Sequence, residues 1–191
     1  MIVGKNKPPA GVVPAVVLIN PRFAHNVGMV LRLASCYGLS QLWYTGDRVK
    51  LDLDKKTRLP REERMKGYRD VTIYNFDRPL EQFQDAVPVA VEVRANSERL
   101  PQFEHPQNAV YVFGPEDGSL PPAVLAKCHR FVIIPTHRNY CLNLATAVST
   151  LLYDRAYKLG TFPDDKRDAG IGYEETDPRG LGLFDTAPGW P

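Results

Sequence analysis

Cysteine is scarce in this chain. Its three residues, Cys36, Cys128 and Cys141, are scattered over 191 positions with no Cys-x-x-Cys pair. An odd, dispersed set argues against the disulfide framework of a small secreted domain and fits a reducing, cytoplasmic setting. Long hydrophobic runs are also missing. The first apolar stretch, Val12 to Ile19, is interrupted by Pro14, too short to span a membrane and unlike a signal peptide. No Gly-x-Gly-x-x-Gly follows that stretch, which speaks against a dinucleotide-dependent dehydrogenase. The glycine-bearing turn at 114–118 is not followed by Gly-Lys-Ser/Thr, so it is no P-loop. Cys128-His129 and the other histidines lack metal-ligand spacing, and no metal is expected. There is no internal repeat.

The chain is long enough for one domain with its own core, and its 43% apolar content is ordinary for a globular protein. Net charge is only +2, but it is unevenly spread. Arg48 to Asp70 holds nine Lys/Arg against five Asp/Glu, and Thr161 to Pro191 holds three against seven. Setting aside that acidic tail leaves a body of +6, a charge that suits a polyanionic partner as well as a mixed solvated surface.

Strand and helix patterns alternate. Apolar, β-branched runs at Val12–Ile19, Leu42–Thr45, Val71–Tyr74, Val87–Val93, Ala109–Phe113 and Phe131–Ile134 read as strands. Helical spacing is present over Val27–Tyr37, stopped by Gly38, and over Leu142–Leu159, stopped by Gly160. Shorter helical turns are expected at Pro79–Gln84 and Pro121–Lys127, each with proline near its start, and around Arg61–Lys66 within a long basic loop. Such alternation implies an α/β fold, a mostly parallel sheet flanked by helices. We divide the chain into an N-terminal extension (1–11), one domain (12–160) and an irregular tail (161–191) whose five glycines and four prolines accompany little hydrophobic periodicity.

Three blocks carry chemistry, and all follow strands, where open α/β sheets bind ligands. The first is Asn26-Val27-Gly28 with Arg32 and Ala34 beyond. Asn26 is a suitable N-cap. Arg32 stands in an apolar helical stretch, so it is either aimed at a phosphate or paired with a core acid such as Glu116. The second is Phe113-Gly114-Pro115-Glu116-Asp117-Gly118, a turn that lets a ligand lie against backbone. The third is Cys141-Leu142-Asn143-Leu144, where Asn143 can cap the long helix or hold a ligand. Cys141 with His137 could also be taken for a thiol nucleophile, but nothing orients that pair.

Together the blocks resemble the three motifs of the SpoU branch of the SPOUT RNA methyltransferases, over roughly Val16 to Tyr157. The matching residues are Asn26, Gly28, Arg32 and Ala34; then Gly114, Pro115, Glu116 and Gly118, with Ser119 inserted before Leu120; then Leu142, Asn143 and Leu144. Cys141 stands where the family usually has Ser, a weaker donor at one contact. The resemblance implies a deep trefoil knot formed by residues 109–159. It implies S-adenosylmethionine held near Val91, Gly114, Ile134, Cys141 and Leu142, an obligate homodimer, and methyl transfer to a ribose 2′-hydroxyl of RNA. Arg32, Glu116, Asn26 and Asn143 would form the catalytic set, with Glu116 orienting Arg32. Since a guanidinium stays protonated, Arg32 is better suited to clamping phosphate and stabilising alkoxide charge than to acting as a base. The minimal architecture resembles family members that modify the tRNA wobble ribose. Arg22, Arg58, Arg61, Arg64, Lys66 and Arg69 would then meet the RNA backbone. Ribosomal RNA is the alternative substrate, and an inactive knotted RNA-binding protein the alternative class.

If the acidic tail screens the basic body, truncation before Thr161 should strengthen non-specific RNA binding at low salt. Filter binding that finds it unchanged or weaker would exclude such screening.

Overall fold

The structure, a computed structural model, describes residues 2–3, 10–49, 71–138 and 140–162. The chain divides into two compact units, Met1–Leu159 and Gly160–Pro191. The elements of the first are β1 (Ile2–Val3), β2 (Ala15–Leu18), α1 (Ala24–Cys36), β3 (Gln41–Tyr44), β4 (Thr72–Asn75), β5 (Val87–Val91), β6 (Glu98–Arg99), β7 (Ala109–Phe113), α2 (Pro122–Leu125), β8 (Arg130–Ile133) and α3 (Leu144–Leu159). Short 3₁₀ turns lie at Pro79–Gln82 and Leu100–Gln102.

The eight described strands form one sheet in the order β1-β4-β3-β2-β7-β5-β8-β6, with every neighbouring pair parallel. The chain steps outwards from β2 through β3 to β4, and β7 occupies the other flank of β2. The strand order therefore changes direction between β2 and β7, where an open sheet leaves a crevice at its C-terminal edge. Register brings the strand ends level there: Leu18 pairs with Phe113, Phe113 with Val91, and Val91 with Val132.

Both sheet faces are covered, which is why the central strands are apolar throughout rather than alternating. Ala15 to Leu18 and Ala109 to Phe113 are buried without exception. Val16, Leu18 and Tyr111 face α1 and α3 through Val27, Val30, Leu31, Val148, Leu151 and Leu152. Ala15, Val17, Val110 and Val112 face the opposite layer, which holds Phe83, Leu120 and Cys128 with Leu125 of α2 packed against them. Gly38 ends α1 with φ of +70°, a left-handed turn that suits glycine.

Several expected boundaries shift. β2 begins after Pro14, since proline cannot donate to a ladder. α1 begins at Ala24, so its N-cap is Phe23, without a side-chain cap bond, and Asn26 is not the cap. The reason is that the Asn26 amide is engaged by Glu116 instead. β1 and β6 were not expected; each is a two-residue strand whose pairing depends on its neighbour, not on a pattern of its own. The expected helix around Arg61–Lys66 lies outside the described residues.

α3 is also tied down by polar groups. His105 is bonded through Nδ1 to the Tyr111 hydroxyl at 2.7 Å and through Nε2 to Asp154 at 2.8 Å. Asp154 also meets Lys158 at 2.8 Å. Burial lowers the His105 pKa from its ordinary 6.5, against the opposing pull of Asp154. Its folded pKa therefore lies below its unfolded one, and the unfolded state takes up protons first on acidification. The stability it contributes is complete above pH 6.5 and declines as pH falls below that value. Thermal melts should show Tm dropping between pH 7 and pH 5.5, with a smaller drop in His105→Gln; equal drops in both proteins would place the acid sensitivity elsewhere.

Candidate active site

The three blocks meet in one hydrogen-bonded chain. Asn26 in the first turn of α1 is 1% exposed. Its Nδ2 donates to Glu116 Oε1 at 2.7 Å, and its Oδ1 accepts from Asn143 Nδ2 at 3.1 Å. Asn143 Oδ1 in turn accepts from the backbone N–H of Ala145 at 2.9 Å, capping α3. The directions follow from the first member. An ionised carboxylate only accepts, so Asn26 must turn its NH₂ towards Glu116 and its carbonyl oxygen towards Asn143. Asn143 then gives its NH₂ to Asn26 and keeps its oxygen for the helix. Orientation of both amides is thus dictated by a single acid.

Glu116 is held on its other side by the Arg22 backbone N–H, which donates to Oε2 at 2.7 Å. Burial would raise its pKa, but the hydrogen bonds from Asn26 and from Arg22 outweigh that and the net shift is downward. The group whose orientation Glu116 fixes directly is therefore Asn26. Next to it, Asp117 accepts two bonds from Arg48, at 3.0 and 2.7 Å, and one from Arg22 at 3.3 Å. The Arg48 guanidinium lowers the Asp117 pKa. Arg48 also reaches the Asn20 carbonyl at 3.3 Å. These half-exposed ions pin the loop after β2 to the turn after β7, geometrically more than energetically.

Beside this chain lies a cleft of about 160 Å³ across the ends of β5, β7 and β8. Val91, Gly114, Ile134, Cys141 and Leu142 all line it, and so do Glu92, Glu116 and Thr136. Its lining mixes apolar side chains with the polar groups of Glu92, Glu116 and Thr136, a composition that suits a flat organic group with a polar tail. A Cβ on Gly114 would stand 3.2 Å from the Leu120 nitrogen, so the turn that forms one wall is tight enough to favour glycine. The Thr136 hydroxyl donates to the Tyr140 carbonyl at 3.0 Å, ordering the loop that forms the opposite wall.

The other expected site residues are placed differently. Arg32 is exposed on α1 and does not line the cleft, so the expected burial cost of its guanidinium does not arise. Arg22 is exposed beside Asp117. Arg58, Arg61, Arg64, Lys66 and Arg69 lie outside the described residues. Sequence reasoning missed Asp117, Arg48 and Glu92 as organisers. Asp117 stands beside Glu116 in the second block, but nothing local indicates that its partners lie 69 and 95 positions away. Among the described residues no group of His, Cys, Asp or Glu is placed to hold a metal ion, and no helix is long and apolar enough to cross a membrane.

A parallel α/β domain with a cleft across the ends of β5, β7 and β8, beside a polar chain that links three segments, is the class of protein that fold and site define. The description of the SpoU rRNA Methylase family matches residues 14–153, and the chain belongs to that family. It is 29% identical over 153 residues to the tRNA (cytidine-2′-O-)-methyltransferase TrmJ of Methanocaldococcus jannaschii, covering 73% of this chain and 66% of that protein. A structure solved for the 2-OH methylation of C/U34 on tRNA is 27% identical with a TM-score of 0.61, over 78% of this chain and 91% of that one. The SpoU methyltransferase AviRb of Streptomyces viridochromogenes, solved with the cofactor AdoMet, shares the fold at 18% identity and a TM-score of 0.60, over 78% of this chain and 58% of that one. The chain thus spans about two thirds or less of the archaeal relative and of AviRb.

Asn26→Asp tests the amide chain with a change of one atom, placing a second carboxylate 2.7 Å from Glu116. It should cost about 1–3 kcal/mol at pH 7.5 in urea unfolding. The deficit should shrink towards pH 5, where the pair can share a proton. A deficit independent of pH would mean that Glu116 does not hold Asn26 as an ionised acceptor.

Proposed function

We propose that this chain methylates a ribose 2′-hydroxyl of RNA using S-adenosylmethionine, with tRNA favoured over ribosomal RNA. The observation that carries this reading is the Glu116–Asn26–Asn143 chain, which joins all three SpoU-type blocks, the second and third of which line one cleft. The tRNA preference rests on the archaeal relative and the C/U34 structure. The cleft residues suit the cofactor: Val91, Ile134 and Leu142 offer apolar contact to an adenine, and Gly114 leaves backbone accessible. When bound, S-adenosylmethionine supplies an electrophilic methyl on a sulfonium.

The protein's share is to place the hydroxyl in line and to ease loss of its proton. Asn26 and Asn143, locked in orientation, position the groups around the mouth. Arg32, always protonated, clamps the neighbouring phosphate and stabilises charge developing on the hydroxyl oxygen. Its exposure on α1, away from the cleft of its own chain, favours a homodimer in which it serves the partner's site. In this reading residues 109–159 form the trefoil knot, 12–160 the catalytic domain, and the basic residues Arg22, Arg58, Arg61, Arg64, Lys66 and Arg69 the RNA-facing set. The enzyme would work in the cytoplasm, where its substrate is.

The test is methyl transfer from labelled S-adenosylmethionine to unmodified bulk tRNA and, separately, rRNA, with nucleoside products identified by mass. The expected product is a 2′-O-methylnucleoside from tRNA that falls at least about 100-fold in Arg32→Ala, the scale of losing one charge-stabilising group. Transfer to rRNA alone would reassign the substrate. Cofactor binding without transfer to either would favour the inactive RNA-binding protein, for which Cys141 in place of the family's Ser is the one departure in its favour.

A further inference from the structure

Glu92 is a carboxylate that the resemblance does not use. It follows directly on Val91 at the end of β5 and lines the cleft. Its Oε2 accepts the Leu120 N–H at 2.8 Å and its Oε1 the Val93 N–H at 3.1 Å. The plane of the carboxylate is therefore fixed by two backbone donors, one on the next residue just past β5 and one on the turn after β7. An ionised carboxylate offers about four acceptor positions. Two are taken by those donors, leaving one lone pair on each oxygen.

Two free lone pairs on one rigid group match two hydroxyl donors on adjacent carbons. A vicinal diol is such a pair, and an adenosine ribose presents one beside the base. Val91, the residue preceding Glu92, belongs to the apolar wall that suits an adenine. A base against Val91 brings its ribose diol next to Glu92. An ammonium, the other group a carboxylate attracts, presents donors splayed from a single atom and needs no such planar fixing.

We infer that Glu92 is a ligand-binding residue that takes the 2′,3′-diol of an adenosine group, and thereby sets the nucleoside specificity of the cleft. The inference rests on the reading of this cleft as the S-adenosylmethionine site. The same carboxylate couples occupancy to architecture, because its other face holds Leu120, two residues beyond Gly118 in the turn that also carries Glu116.

Calorimetry on the full chain tests this without reference to turnover. The probes are S-adenosylhomocysteine, 5′-methylthioadenosine, and the 2′-deoxy and 3′-deoxy forms of the latter. Wild-type protein should bind methylthioadenosine roughly tenfold more tightly than either deoxy form, the scale of one charge-assisted hydrogen bond. Glu92→Gln keeps a carbonyl oxygen for the Leu120 N–H. It should bind S-adenosylhomocysteine and methylthioadenosine more weakly by a similar factor, and should discriminate much less between methylthioadenosine and its deoxy forms. A purely architectural role would weaken all four probes alike and leave the discrimination intact, overturning the inference. A loss confined to S-adenosylhomocysteine would assign Glu92 to the amino-acid ammonium and overturn it too. Equal binding of ribose and deoxyribose probes by wild type overturns it even if the variant fails to fold. If wild type binds none of the four, the methyltransferase reading itself fails; binding of S-adenosylhomocysteine with no diol preference sinks only the role of Glu92.

Discussion

The acceptor-only character of one ionised carboxylate organises this site. Glu116 can receive hydrogen bonds but not give them, and that asymmetry propagates through Asn26 to Asn143 and ends at the first amides of α3. Three loops far apart in sequence are joined by groups that have only one consistent arrangement. Were the buried Asn26 amide reversed, its oxygen would face the Glu116 carboxylate and its NH₂ the NH₂ of Asn143, at a cost comparable to the loss of a hydrogen bond. The site is stiff because its polarity has a single solution, and stiffness is what positioning two reactants demands.

The sheet makes that chain possible. Parallel strands in register deliver their C-terminal ends to one edge, and the change of direction between β2 and β7 opens the crevice there. One apolar layer then fixes α1 and α3 on the same face, so that the first turn of α1 meets the residue that caps α3. Charged groups complete the frame at the rim. Asp117 ties Arg22 and Arg48 together on the outer side, and Glu92 ties β5 to the turn after β7 on the inner side. One turn, residues 114–120, is thus held by carboxylates from three directions.

Much of the fold was legible because buried parallel strands are written as unbroken β-branched runs, and helices as spaced apolar residues closed by glycine. Val110 to Phe113 and Val148 to Leu152 announce themselves in this way. The edge strands β1 and β6 did not, since two residues cannot carry a period. Asn26 looked like a helix cap from its place before an apolar stretch. The helix instead starts three residues after Pro21, and the amide serves Glu116, ninety positions away. Local pattern describes what a residue can do; which of its options is used depends on what the rest of the chain brings to it.

By itself the sequence determined the layer architecture and the family. These follow from composition, periodicity and short motifs, which are local properties of the chain. Tertiary structure alone decided which groups act on one another: that Glu116 orients Asn26, that Arg32 stays exposed on α1, and that Glu92 and Asp117 belong to the site at all. Hydrogen bonds and ion pairs act over a few ångströms, and the partners that join separate segments of this site are 28 to 117 positions apart along the chain. Only folding the sheet brings them within that range.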